Sequence, residues 1–402
     1  MSLDLRLTVR FWDADGIEVA ARKSSIWITI CTAALPTFVW IAMASMFTLT
    51  RGDFPAFYTG AMLAKTGRFS SLHDDALQTE VGTPYMGGRP DPVYFVRPHV
   101  YAAVLAPLAL LPMRQAFLVW AGIQGLTLIA IAVWACRRFG NDALILLALF
   151  PPAILAIGFG QDAVIFLGLA VASYALYERG QFLAAGFVLG CGLIKPHLLL
   201  IFPVVMLLQK RWRLLAGFAL GGAVEVAISL ALGGWQGAKL YVAFLRSQEG
   251  HITPTPERML NVHGMMANLG LESPIVRVVL VLAVIACVAS IAARSSWWKG
   301  LAAAQAGTML LAPHVFMYDS TLLILPALLM FFGESGLTSR IAATIFFAPI
   351  PYLVQLADKP WTIAPSLVVL GLLVSLLGSG ANARVAGEGQ RDATLCPDRR
   401  SV

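Results

Sequence analysis

AAGFVLGCGLIKPHLLLIFPVVMLLQKRWR, running from Ala184 to Arg213, holds two apolar runs parted by Lys195-Pro196-His197 and closed by Lys210-Arg211-Trp212-Arg213. A membrane-spanning helix needs ~20 mostly apolar residues. Read from Gln181 onward, the runs predict two crossings, 181–194 and 197–209, with a charged turn between them. Lys and Arg concentrate in cytoplasmic loops, so the closing cluster is expected inside and the Lys195 turn on the opposite face.

The same pattern recurs along the chain. Its 402 residues are 58% hydrophobic and only 13% charged, with a mean hydropathy of +0.75, a composition that excludes an ordinary soluble globular protein. A β-barrel would alternate with period two, and these runs do not. The expected fold is therefore all-α and polytopic. Basic residues at Arg137-Arg138, Arg179, Lys210 to Arg213, Arg294 to Lys299 and Arg340 serve as cytoplasmic markers. Spans are then expected near 27–47, 115–136, 142–159, 163–177, 181–194, 197–209, 214–233, 274–293, 300–313, 320–333, 341–356 and 363–379. That is about 12 crossings with both ends inside, several of them short of the ~20-residue requirement. Val100 to Leu111 is flanked and broken by prolines and reads as interfacial or re-entrant.

The first 23 residues are polar, and no small-residue cleavage site follows the first apolar run, so Trp27 to Phe47 is expected to be a retained first helix. Residues 1–380 form one membrane domain, and 381–402 form a disordered cytoplasmic tail. Two loops on the outer face are long, about 48–99 and 233–273. The five cysteines are scattered without ligand or CxxC spacing, so neither a zinc site nor a disulfide framework is expected. The net charge of +7 is accounted for by cytoplasmic loops against anionic lipid rather than by nucleic acid.

Against this apolar background the ionisable residues stand out, because each costs several kcal/mol near membrane depth unless paired or wetted. On this topology they converge on the outer face: Asp53 after the first span, Gln161-Asp162 at one turn, Lys195 and His197 at another, and His314 and Asp319 at a third. Asp53 is a candidate general base, and the alternative is that it caps a helix starting at Phe54 with Pro55. Lys195 and His197 are candidates for holding an anionic leaving group, against the alternative of snorkelling at a helix turn. His314 is a candidate for orienting the base or holding phosphate. Tyr58, Gln161, Asp162 and Asp319 are secondary candidates, with capping and interhelical hydrogen bonds as the alternative. Arg258 in the second loop is a candidate lipid-phosphate contact. Trp297 and Trp298 beside Lys299 read as interfacial anchors. Asp74-Asp75 with Asp53 is a conceivable carboxylate cluster for a divalent ion, but Lys and His supply the needed charge, and no metal or other cofactor is expected.

RGDFPAFYTGAMLAKTG (Arg51 to Gly67), followed by LHDD (Leu72 to Asp75) and Gln78, resembles the first-loop motif of glycosyltransferase family 87, the polyprenyl-phosphate-mannose-dependent mannosyltransferase-like proteins. The resemblance continues through RPHVYAAVLAPLALLP (Arg97 to Pro112), GQDAVIFLGL (Gly160 to Leu169), Ala184 to Arg213 and LAPHVFMYDSTLL (Leu311 to Leu323). It implies a GT-C-type membrane fold with long first and middle extracytoplasmic loops. It also implies inverting transfer of a sugar, mannose being the family's best-known choice, from a polyprenyl-phosphate donor to a glycolipid or glycan, with Asp53 as base. The expected setting is the inner (plasma) membrane, with the site facing the periplasm and membrane lipids around it. Two places depart from the family pattern: Arg97-Pro98-His99 stands where Tyr-Pro-Pro or Asn-Pro-Pro is usual, and Asn261-Val262-His263-Gly264 where an Asn-x-Ser-like element is usual. Both are expected to touch sugar or acceptor. The competing function is a transporter or flippase of lipid-linked sugars, which predicts repeated halves and polar groups at mid-membrane; no repeat is visible.

Overall fold

The computed structural model describes residues 52–88, 93–148, 150–248, 255–333 and 335–377, and every regular element among them is helical. The expected first crossing, 27–47, and the tail, 381–402, lie outside these residues. Among the described residues three helices are long and apolar enough to cross a membrane: Met113–Phe139, Trp212–Ser247 and Pro274–Arg294. At 1.5 Å per residue the shortest is about 31 Å long, the thickness of a bilayer's hydrocarbon core. Their outward faces are apolar, with Leu126 69% and Ile275 76% exposed. Gln124, midway along the first of them, is buried while its apolar neighbours face outward, the reverse of a soluble bundle, and the chain is a membrane protein.

The remaining expected crossings are shorter and broken, and the count of twelve is not reproduced. The segment 142–159 divides into Asp142–Ala148 and Pro151–Gly158, because Pro151 and Pro152 lack the N–H groups that would continue the first helix. The segment 181–209 becomes Phe182–Gly190, two short 3-10 turns around Lys195, and Phe202–Leu208. The expected crossing 341–356 divides into Leu337–Phe347 and Ile350–Leu353, closed by a 3-10 turn. Val100 to Leu111 forms the short helix His99–Leu105 and a 3-10 turn through Leu110, about 18 Å of rise if wholly helical and so too little to cross alone.

Two expectations are corrected. The second long loop does not begin near 233: the helix runs on to Gln248, kinked at Gly234, where φ is 63°. Trp297 is not an anchor at the lipid boundary. It is buried and stacks on Tyr177 with centroids 4.9 Å apart.

Small residues set the closest helix contact. A Cβ on Gly186 would lie 2.0 Å from the Leu214 carbonyl, and one on Gly217 2.0 Å from the Leu183 carbonyl, so Phe182–Gly190 and the Trp212 helix touch backbone to backbone. Such approach drives association where lipid removes the hydrophobic effect between helices. Two apolar cores result. The larger joins Ala163–Glu178, Trp297–Leu311, Ile324–Phe332 and their neighbours. The smaller gathers Phe54, Phe57, Phe95, Tyr101 and Trp120. The polar candidates lie where the two meet.

Candidate functional site

Asp53 stands at the start of the helix Phe54–Lys65, with Pro55 in its first turn, but its side chain makes no capping bond. The capping alternative therefore fails on geometry. The helix is buried along nearly its whole length rather than lying at an interface. The Asp53 N–H donates to the Phe159 carbonyl at 2.9 Å, and its carboxylate accepts a short hydrogen bond from Gln161 Nε2. The Trp120 indole donates to the Gly160 carbonyl at 2.9 Å and fastens the same turn. Gly160 has φ +71°, and a Cβ there would come 2.5 Å from Phe54 Cβ. Only glycine meets both conditions, so this turn can bring Gln161 up to Asp53.

The next residue, Asp162, precedes Ala163–Glu178 and likewise does not cap it. Its carboxylate, wholly buried, receives Arg97 Nε at 3.0 Å and Nη2 at 3.4 Å, with Lys195 Nζ at 3.5 Å. Lys195 Nζ lies 2.5 Å from Asp319 Oδ1, and Asp319 Oδ2 accepts the Phe316 N–H at 3.0 Å. Arg97, Asp162, Lys195 and Asp319 thus form one chain of alternating charge, each residue no more than 6% exposed. Its formal charge sums to zero. Burial alone would raise the Asp162 carboxyl, but Arg97 and Lys195 outweigh it and hold the group below the usual carboxylate range. Isolated ions at such depth cost several kcal/mol each, and alternation offsets that cost only with geometry this close.

Tyr318 lies against this chain. The Lys195 ammonium sits 5.9 Å from its ring centre, and the Phe159 ring is 6.4 Å away. His197 lies within electrostatic reach of Lys195, Arg97, His314 and Asp162. The structure therefore brings together Asp53, Gln161, Asp162, Lys195, His197, His314 and Asp319 from four separate segments.

Three expected residues stand apart. Tyr58 is buried and its hydroxyl donates to the Leu111 carbonyl at 2.7 Å, a bond that ties two segments of the smaller core. Arg258 is exposed, and its carbonyl accepts from Gln355. Asn261 caps Val262–Asn268 through the Gly264 N–H, and its amide donates to the carbonyls of Ala312 at 2.7 Å and Pro313 at 3.1 Å. It holds the strand of chain that carries His314 rather than facing the charge chain. Asp74 caps Asp75–Gly82 through the Leu77 N–H. Among the described residues no three or more His, Cys, Asp or Glu side chains gather as metal ligands do.

Arg97 lies in a loop expected to touch sugar or acceptor; its guanidinium is buried against Asp162 and over the Phe57 ring at 5.7 Å, a pairing that the sequence does not announce. Its carbonyl receives His73 Nε2 at 2.9 Å. The available signal was an arginine in an apolar segment beside proline, since an arginine buried there requires an acid.

The family model for glycosyltransferase family 87 matches residues 95–326, more than half of the chain. Neither a curated protein nor a solved structure matches it significantly.

Proposed function

Because the chain belongs to glycosyltransferase family 87, we propose that this cluster transfers a hexose, mannose by the family's habit, from a polyprenyl-phosphate donor to a glycolipid or glycan. Family membership makes the chain a glycosyltransferase rather than a translocator of lipid-linked sugars. The observation that carries the reading is Asp53: a carboxylate released from helix capping, oriented by Gln161, beside a buried charge chain.

The acceptor oxygen attacks the anomeric carbon from the face opposite the phosphate. The bond from that carbon to the phosphate oxygen breaks, its electron pair leaves on the phosphate, and Asp53 takes the acceptor proton. The product is inverted. One carboxylate suffices because a phosphate leaving group needs no acid to protonate it, unlike the two-carboxylate arrangement of glycosidases.

The phosphate contact shifts with the structure in hand. Lys195 is neutralised by Asp319 and Asp162. We therefore assign the hydrogen bonds to the phosphate to His197 and His314, with Lys195 locking their two segments together. The donor's lipid tail keeps it in the bilayer, and the site opens to the extracytoplasmic side of the inner membrane.

Purified protein given radiolabelled polyprenyl-phosphate mannose and extracted membrane glycolipids tests this. Labelled glycolipid with inverted anomeric configuration is expected. Movement of intact donor between leaflets without transfer would overturn it.

A further inference from the structure

We propose that the Tyr318 hydroxyl is a contact to the transferred sugar ring itself, and not to the donor phosphate. The inference rests on the glycosyl-transfer reading above and names the part of the donor that this side chain recognises.

The ring is held on several sides. Lys195 lies against it at 5.9 Å, and Phe159 and Phe316 flank it at 6.4 and 6.0 Å. Phe159 is the residue whose carbonyl receives the Asp53 N–H, so Tyr318 abuts the turn that positions the proposed base. Tyr58 donates to the Leu111 carbonyl and Tyr352 to the Phe346 carbonyl, whereas the hydroxyl of Tyr101 is sealed in the smaller core without a hydrogen-bond partner. Tyr318, half-buried, makes no hydrogen bond to any described residue.

Charge decides what such a hydroxyl receives. Asp53 acts on it most strongly among the charged groups; Asp319 and Asp162 are offset by Lys195 and Arg97, which leaves the Asp53 carboxylate as the net charge facing the hydroxyl. The Lys195 ammonium at the ring face is itself paired with Asp319 at 2.5 Å. A phosphate would meet repulsion here. A neutral polyol would not, because its hydroxyls accept from Tyr318 and donate to the carboxylates beside it. A hexose placed there has its ring next to Asp53 while its phosphate points toward His197 and His314. Tyr318 keeps its proton throughout the reaction.

The test compares two lipids on wild-type protein and Tyr318→Phe in nanodiscs: polyprenyl-phosphate mannose and the same polyprenyl phosphate without sugar. The substitution removes one oxygen and leaves the ring against Lys195. Affinity for the glycosylated lipid is expected to fall about two- to tenfold, the range of one neutral hydrogen bond, with affinity for bare polyprenyl phosphate unchanged and the same melting temperature. Equal weakening toward both lipids would assign Tyr318 to the phosphate and overturn the proposal, as would no change toward either. Wild-type protein that binds neither lipid would instead bring down the glycosyl-transfer reading, and this contact with it.

Discussion

Lys195 Nζ lies 2.5 Å from Asp319 Oδ1, so a cation placed by sequence at the donor phosphate is already one half of a buried ion pair. Lys195 sits in the break between two helical segments and Asp319 in the turn before Ile324–Phe332. Their contact joins parts of the chain 124 residues apart.

Removing one partner of that pair is expected to be far worse than removing both. Lys195→Met leaves Asp319 ionised and buried, and the loss is expected at ~3–5 kcal/mol. Lys195→Met with Asp319→Leu is expected to regain at least half of that. Unfolding midpoints of the purified single and double variants in one detergent measure the difference.

Asp53→Asn keeps a side-chain oxygen for Gln161 and removes the base. Transfer is expected to fall ~10²–10⁴-fold, with little change in melting temperature. Wild-type turnover by the purified variant would end the assignment.

Gly160→Ala places a methyl group against Phe54 at a backbone angle that L-residues avoid. A destabilisation of ~1–3 kcal/mol is expected. Gln161 should move away from Asp53, so turnover should drop beyond what the unfolded fraction explains. Comparing activity per folded molecule, counted by size exclusion, separates the two effects.

His73 predicts a pH dependence. Its Nε2 faces a carbonyl, which can only accept, so Nε2 carries the proton and Nδ1 is left buried without a partner. Burial first, and then neighbouring His99, push its pKa down to about 3, against the pull of the Arg97 carbonyl. An unfolded histidine titrates near ~6.5. Between those values the unfolded chain binds a proton that the folded chain refuses. The stability from neutral His73 is therefore complete above pH ~6.5 and declines as pH falls toward about 3, by at most about 1.4 kcal/mol per pH unit. His73→Asn should flatten the plot of melting temperature against pH in that window. A residual slope should persist because burial also lowers His99.

Asn261→Ala removes the donors to the Ala312 and Pro313 carbonyls. The segment carrying His314 should loosen, raising the donor KM more than it lowers the melting temperature. An unchanged KM would place Asn261's role in folding alone.

Much of the cluster was legible in the sequence because lipid leaves few reasons for an ionisable group. Asp162, Lys195 and Asp319 are conspicuous among apolar neighbours, and each was singled out for that reason. Their pairing was not legible. A charge in the sequence carries no pointer to its partner, and Arg97 meets Asp162 across 65 positions. Tyr58 shows the converse: an interfacial tyrosine invites a ligand role until its hydroxyl is seen on a main-chain oxygen. Asn261 stands out in the sequence because it occupies the place of an Asn-x-Ser-like element, whereas its amide donates to the backbone of the segment carrying His314.

The sequence by itself determined that this is a helical membrane protein with its unusual polar residues at a few turns, because hydropathy and helix-breaking prolines are local properties. It also carried enough ordered motif to identify the family. Only the tertiary structure decided that Asp53 is held by Gln161 instead of capping its helix, and that four buried charges cancel in sequence along one chain. Those outcomes depend on distances between remote segments, which close packing at Gly160 and at the two core boundaries sets and which no single stretch encodes.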